Sequence, residues 1–215
     1  MARSRRKEPV TLERRTLMVW ASLVVSLSLV SGLLLLLNPI PHAPAVGPVL
    51  TVLDPTPDDL QSLLATRGAV QEGRWRGIVI HHSGSNRGSA ESLGRLHQSQ
   101  GFGGLGYHFV IGNGDGAHDG EIQAGYRWAR QIDGIDTRDA IAICLVGNGD
   151  QVQPSRTQIN QLVKLVTQLQ RRFQIPAERV YLYRDLVPTT SPGLRFPTVQ
   201  FRNQLLDLEL QPPPQ

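Results

Sequence analysis

Two adjacent histidines, His81 and His82, end the apolar run Gly77-Ile78-Val79-Ile80 and are followed by Ser83 and Gly84. Imidazoles bind metals and move protons near neutral pH, and the C-terminal ends of strands are where an α/β sheet gathers such groups. Three later stretches add chemistry. Tyr107 and His108 open a second apolar run, Tyr183-Arg184-Asp185 closes a third, and Thr189-Thr190-Ser191-Pro192-Gly193 offers hydroxyls in a turn-forming loop. Cys144 lies inside the apolar stretch 140–147, where a small buried hydrophobe is the better reading than a nucleophile. As the only cysteine it forms no internal disulfide.

Strands are expected over 77–82, 107–111, 140–147 and 179–184, the third being the most apolar and so central. Residues 121–133 read as another strand and an exposed loop. Asp58 and Asp59 precede Leu60, Leu63 and Leu64 in a short amphipathic helix, and Ser89 caps a helix carrying Leu93, Leu96 and His97. Ser155 and Gln158 form a capping box ahead of the one-sided stripe Ile159, Leu162, Val163, Val166, Leu169 and Phe173, and a last helix runs over about 197–209. The glycines of 101–106 precede a strand instead of joining a strand to a helix, so they form a loop passing close to a site, not a phosphate cradle. Asn113-Gly114-Asp115-Gly116 is a turn; it lacks the spacing of a calcium loop. The fold class is a single α/β domain over 51–209, a central mixed β-sheet flanked by helices.

The formal charge of +4 does not mark a nucleic-acid surface. Residues 1–16 carry six basic side chains against Glu8 and Glu13, and the remainder balances at 16 of each sign. This basic tail leads into 17–37, 21 residues without a charge, enough to cross a bilayer of roughly 30 Å. The expectation is a signal anchor with the N-terminus in the cytoplasm and the domain on the periplasmic or extracytoplasmic side. A cleaved signal peptide is the alternative; its apolar region would be shorter, although Ala43-Pro44-Ala45 loosely resembles a cleavage site. Residues 38–50, with Pro39, Pro41 and Pro44, form a semi-rigid linker, and 210–215 are a proline-rich tail.

Four segments in order, Gly77–Ser83, Gly106–Ile111, Ala140–Asn148 and Tyr183–Gly193, resemble the zinc-dependent N-acetylmuramoyl-L-alanine amidases of the phage-lysozyme type and the related peptidoglycan-recognition proteins. The resemblance covers about 130 residues and implies that fold, peptidoglycan or muropeptide as ligand, and a zinc held by two histidines and a cysteine. His81 matches the first ligand. Tyr107 matches a tyrosine tied to catalysis, and Thr189 matches a position that contacts substrate or aids the transition state. Arg184 is expected to contact substrate or to pair with Asp185.

Two ligand positions depart. Tyr183 stands where the family has the histidine of Gly-His-Arg-Asp, and Ser191 where it has the cysteine of Thr-x-Cys-Pro-Gly. A serine hydroxyl is a poor zinc ligand, and a phenol with a pKa near 10 must lose its proton to bind well. The family's Gly-Ala-His segment is also replaced, by Gly134-Ile135-Asp136. His82, His108, His118 and Asp185 are the neighbours that could rebuild a metal site, with His82 and His108 expected to point away from it. Three functions follow. The first is a membrane-anchored domain binding muropeptides with hydrolysis lost or impaired, and zinc weak or absent. The second is an active amidase using a nonstandard zinc site, with Tyr107 and Thr189 assisting. The third is a non-catalytic envelope scaffold.

Overall fold

Apolar runs of strand length pair into one sheet. The computed structural model describes residues 50–52, 56–66 and 70–209. Its strands are β1 (Leu50–Val52), β2 (Gly77–His82), β3 (Phe109–Ile111), β4 (Ile122–Ala124), β5 (Ala140–Leu145) and β6 (Val180–Leu182), in the spatial order β1-β4-β3-β5-β2-β6. β3, β5, β2 and β6 run parallel, while β4 pairs antiparallel with both β1 and β3, so the sheet is mixed. The two most apolar strands, β5 and β2, lie inside the sheet, as strands buried on both faces must. The basic tail, the apolar stretch 17–37, nearly all of the linker and the tail 210–215 lie outside the described residues. Among the described residues no helix is long and apolar enough to cross a membrane.

The helices are α1 (Pro57–Leu63), α2 (Ala90–Ser99), α3 (Tyr126–Arg130), α4 (Arg156–Phe173) and α5 (Thr198–Glu209). Ser89 and Ser155 cap α2 and α4, each bonding the backbone N–H three residues on. The stripe of α4 packs on one face of the sheet, against Ile78, Ile80, Phe109, Ile111, Ile141 and Ile143. Each such side chain stabilises the fold by about 1.5–3 kcal/mol when fully buried, so this face carries most of the stability. The other face holds a smaller cluster: Ala90, Leu93, Leu105, Val110, Cys144 and Val146, with Tyr107 and Tyr126 against it.

Three elements differ from expectation. β1 extends the sheet by a strand that the sequence does not announce. The exposed loop expected in 121–133 contains α3, anchored by the buried Trp128. The strand expected to start at Tyr107 starts at Phe109, and the stretch expected to continue to 184 leaves β6 at Leu182 for a single 3-10 turn, Tyr183–Asp185.

Candidate functional site

Strand register brings the predicted residues together. His81 lies opposite Cys144, and Ile80 opposite Leu182, so the next residue after β6, Tyr183, stands beside His81. Ring centroids are 4.3 Å apart for His81 and Tyr183 and 5.2 Å for His81 and Tyr107. His81 is 4% exposed, and its Nε2 has no hydrogen-bond partner. Burial above all, then the neighbouring His82 and His108, lowers its pKa to about 3, so the ring is neutral at physiological pH. An orphaned buried nitrogen costs on the order of 1–3 kcal/mol, which marks the position as one held for something other than stability.

Both phenols over His81 stay protonated. Burial pushes the Tyr107 pKa far up, and its hydroxyl lies against the buried Cys144 thiol, itself pushed up by burial. Burial also raises Tyr183, and so does the Asp136 carboxylate, which accepts a hydrogen bond from its hydroxyl.

Ser191 is buried, and its Oγ accepts the backbone N–H of His82 at 3.1 Å. Its loop is pinned from several sides. Gly193 packs backbone to backbone on Gly149, where its φ of +113° and the lack of room for a Cβ require glycine. Asp150 accepts from Thr190 Oγ1 at 2.7 Å and from Leu194 N at 2.9 Å. Arg184 donates to Gly193 O at 2.7 Å and Thr198 Oγ1 at 2.6 Å, so it braces this loop against the start of α5. The ion pair expected between Arg184 and Asp185 is therefore corrected. Asp185 accepts from Leu182 N at 2.9 Å and faces Arg202 at 3.7 Å. Thr189 is exposed, and its Oγ1 accepts from Ser191 N at 3.3 Å, the geometry of a turn hydroxyl.

The neighbours do not rebuild a metal centre. His82 Nδ1 accepts from Gly149 N at 3.0 Å, and the ring also bonds the Pro192 carbonyl. His108 Nδ1 accepts from Ala142 N at 2.9 Å, Nε2 sits 2.9 Å from Ile132 O, and the ring meets Trp75 edge-on. Strict alternation from Val110 would have put His108 in the cleft, but the irregular backbone before Phe109 turns Tyr107 there instead. His118 is exposed on its turn. Among the described residues no group of three or more His, Cys, Asp or Glu is placed to hold a metal ion. One neutral imidazole, two protonated phenols and an engaged hydroxyl do not fit a hydrolytic zinc, which needs three good ligands and an open position.

Two residues at the site carried no role in the sequence reading. Asp136, at a left-handed φ of +58°, fixes Tyr183, and the ring of His97 lies 5.4 Å from that of Tyr107 while its Nδ1 accepts from Gly106 N. The replaced Gly-Ala-His segment was the available signal for Asp136; His97 sits at the end of α2, and nothing in its spacing singles it out.

His81, at the end of a central strand, lies on the α2 face of a mixed α/β sheet. The family model for N-acetylmuramoyl-L-alanine amidase matches residues 71–193, more than half of the chain, and the chain belongs to that family. Bumblebee PGRP-SA is similar at 20% identity, with 66% of this chain and 91% of that one covered and a TM-score of 0.50. The endolysin amidase LysCS from Clostridium intestinale URNW is 23% identical over 66% of this chain and 91% of its own, with a TM-score of 0.47. A Drosophila PGRP-LB variant, in complex with tracheal cytotoxin, is 18% identical over 71% and 92%, with a TM-score of 0.41. No curated protein matches the chain.

Proposed function

We propose that this domain recognises peptidoglycan fragments bearing the N-acetylmuramoyl–L-alanine unit and holds them without hydrolysis. The apolar segment 17–37 tethers it to the membrane, with the domain on the extracytoplasmic side. Family membership supplies the ligand class. One observation supports the loss of turnover: the Nε2 of His81 is buried without a partner, and the rings of two protonated tyrosines pack against the imidazole. What remains can bind. The half-buried Tyr183 ring offers a face for a sugar or peptide to pack on, with its hydroxyl bonded to the Asp136 carboxylate. Titration of a purified muropeptide into the full chain with zinc supplied, followed by mass analysis of the ligand, tests both halves. Saturable binding with the ligand recovered intact supports the reading; cleavage of the lactyl–alanine amide, or no binding, contradicts it. Recovery of the full chain in the membrane fraction after alkaline washing, and its loss when 17–37 are deleted, tests the anchor.

A further inference from the structure

Beside the cleft, at the C-terminal ends of β2 and β5, lies a cavity of about 390 Å³. His82 and Pro192 form one wall, each next in the chain to the cleft residues His81 and Ser191, but the cavity opens on the α4 side of the sheet. Its volume is within the usual range for small-molecule sites. Among the described residues no lysine, arginine, aspartate or glutamate lines it. With no acidic or strongly basic side chain to pair an ion, the lining favours a neutral ligand.

The lining is also built for hydrogen bonding. Asn113 donates through Nδ2 to Asn86 O at 2.7 Å and accepts at Oδ1 from Asp115 N at 3.1 Å, which fixes its orientation. Asn148 accepts at Oδ1 from Asp150 N at 3.1 Å, leaving its amino group without a protein partner among the described residues. The Asn86 carboxamide likewise has no side-chain bond there. Between these amides, Val152, Pro154 and Pro192 supply an apolar surface, with Val152 61% exposed at the mouth. Carboxamides that give and accept, apolar patches between them and no charge suit a ring of hydroxyls with an acetamido group and C–H faces.

We propose that this cavity is a second, carbohydrate subsite that takes an N-acetylated amino sugar of the glycan strand while the His81 cleft takes the peptide-bearing unit. The inference rests on the recognition reading above.

The test uses the full chain and two separate probes: an N-acetylglucosamine tetramer without peptide, and a free stem peptide without sugar. Val152→Arg places a charge at the mouth from an exposed position, and Asn148→Asp keeps the Oδ1 acceptor while removing the free donor. Both variants are expected to weaken the tetramer by about tenfold or more, while stem-peptide affinity stays within about twofold. Tetramer affinity unchanged in both variants, or a tetramer that fails to bind while the stem peptide binds, overturns the subsite and leaves the recognition reading standing. If neither probe nor an intact muropeptide binds, both fall together.

Discussion

At His81 the chain has a buried imidazole, and the residues that stand where the resemblance expects its metal partners are engaged elsewhere. Tyr183 is fixed by Asp136, and Ser191 holds the backbone of His82. Restoring Tyr183→His alone adds one imidazole and leaves no thiolate; restoring Ser191→Cys alone trades a good acceptor for a weak one, at a stability cost of about 1 kcal/mol. The double variant Tyr183→His with Ser191→Cys is therefore expected to gain about one equivalent of zinc where each single variant gains essentially none, measured by elemental analysis. A second expectation concerns His108, which satisfies Ala142 N and Ile132 O in the core. His108→Leu leaves both unpaired and should lower unfolding free energy by about 3 kcal/mol or more in urea titrations, without touching the cleft rings. The site residues were legible by type and order, because His81, Tyr107 and Tyr183 sit at or beside strand ends whose register follows from apolar pattern. The packed, hydrogen-bonded role of His108 was expected, whereas the brace formed by Arg184 was not legible, since which way a guanidinium turns depends on loop backbone that no periodicity encodes.

Elements place these groups and fix the loop beside them. The loop of Thr189 to Gly193 stays in position through the contact of Gly193 with Gly149, the Arg184 brace and the carboxylate of Asp150. Gly193→Ala is expected to cost several kcal/mol, read as a fall in Tm, because the added Cβ meets the Gly149 backbone and the left-handed φ disfavours any other residue. The cap of α4 is a milder case: Ser155→Ala removes the bond to Gln158 N and should cost about 1 kcal/mol. Long elements with one-sided stripes, such as α4 and β5, could be read from sequence to within about two residues. The three-residue β1 and the five-residue α3 could not, because so short a segment shows less than two turns or one pleat of pattern and is fixed by tertiary pairing and by the single anchor Trp128.

Across the whole molecule, four histidines share one electrostatic fate. His81, His82, His97 and His108 all have lowered pKa values with burial as the leading cause, the values falling to about 3 for His81 and about 4 for His108. An unfolded histidine titrates near 6.5, so below that pH the unfolded chain binds protons that the native fold refuses. Stability is fully present above about pH 6.5 and drains as pH falls toward the native values. Urea-unfolding free energy is expected to be flat between about pH 7 and 8 and to drop by several kcal/mol between about pH 6.5 and 4.5. His108→Leu, although less stable at neutral pH, should show a shallower drop over the same window.

The account turns on whether the family's metal survives in this chain, and zinc content measured by elemental analysis on the full chain, purified without chelator, addresses it most directly. The expected result is essentially no zinc, unchanged in His81→Ala. Near one equivalent that disappears in His81→Ala would contradict the account and place a working metal centre beneath Tyr107 and Tyr183.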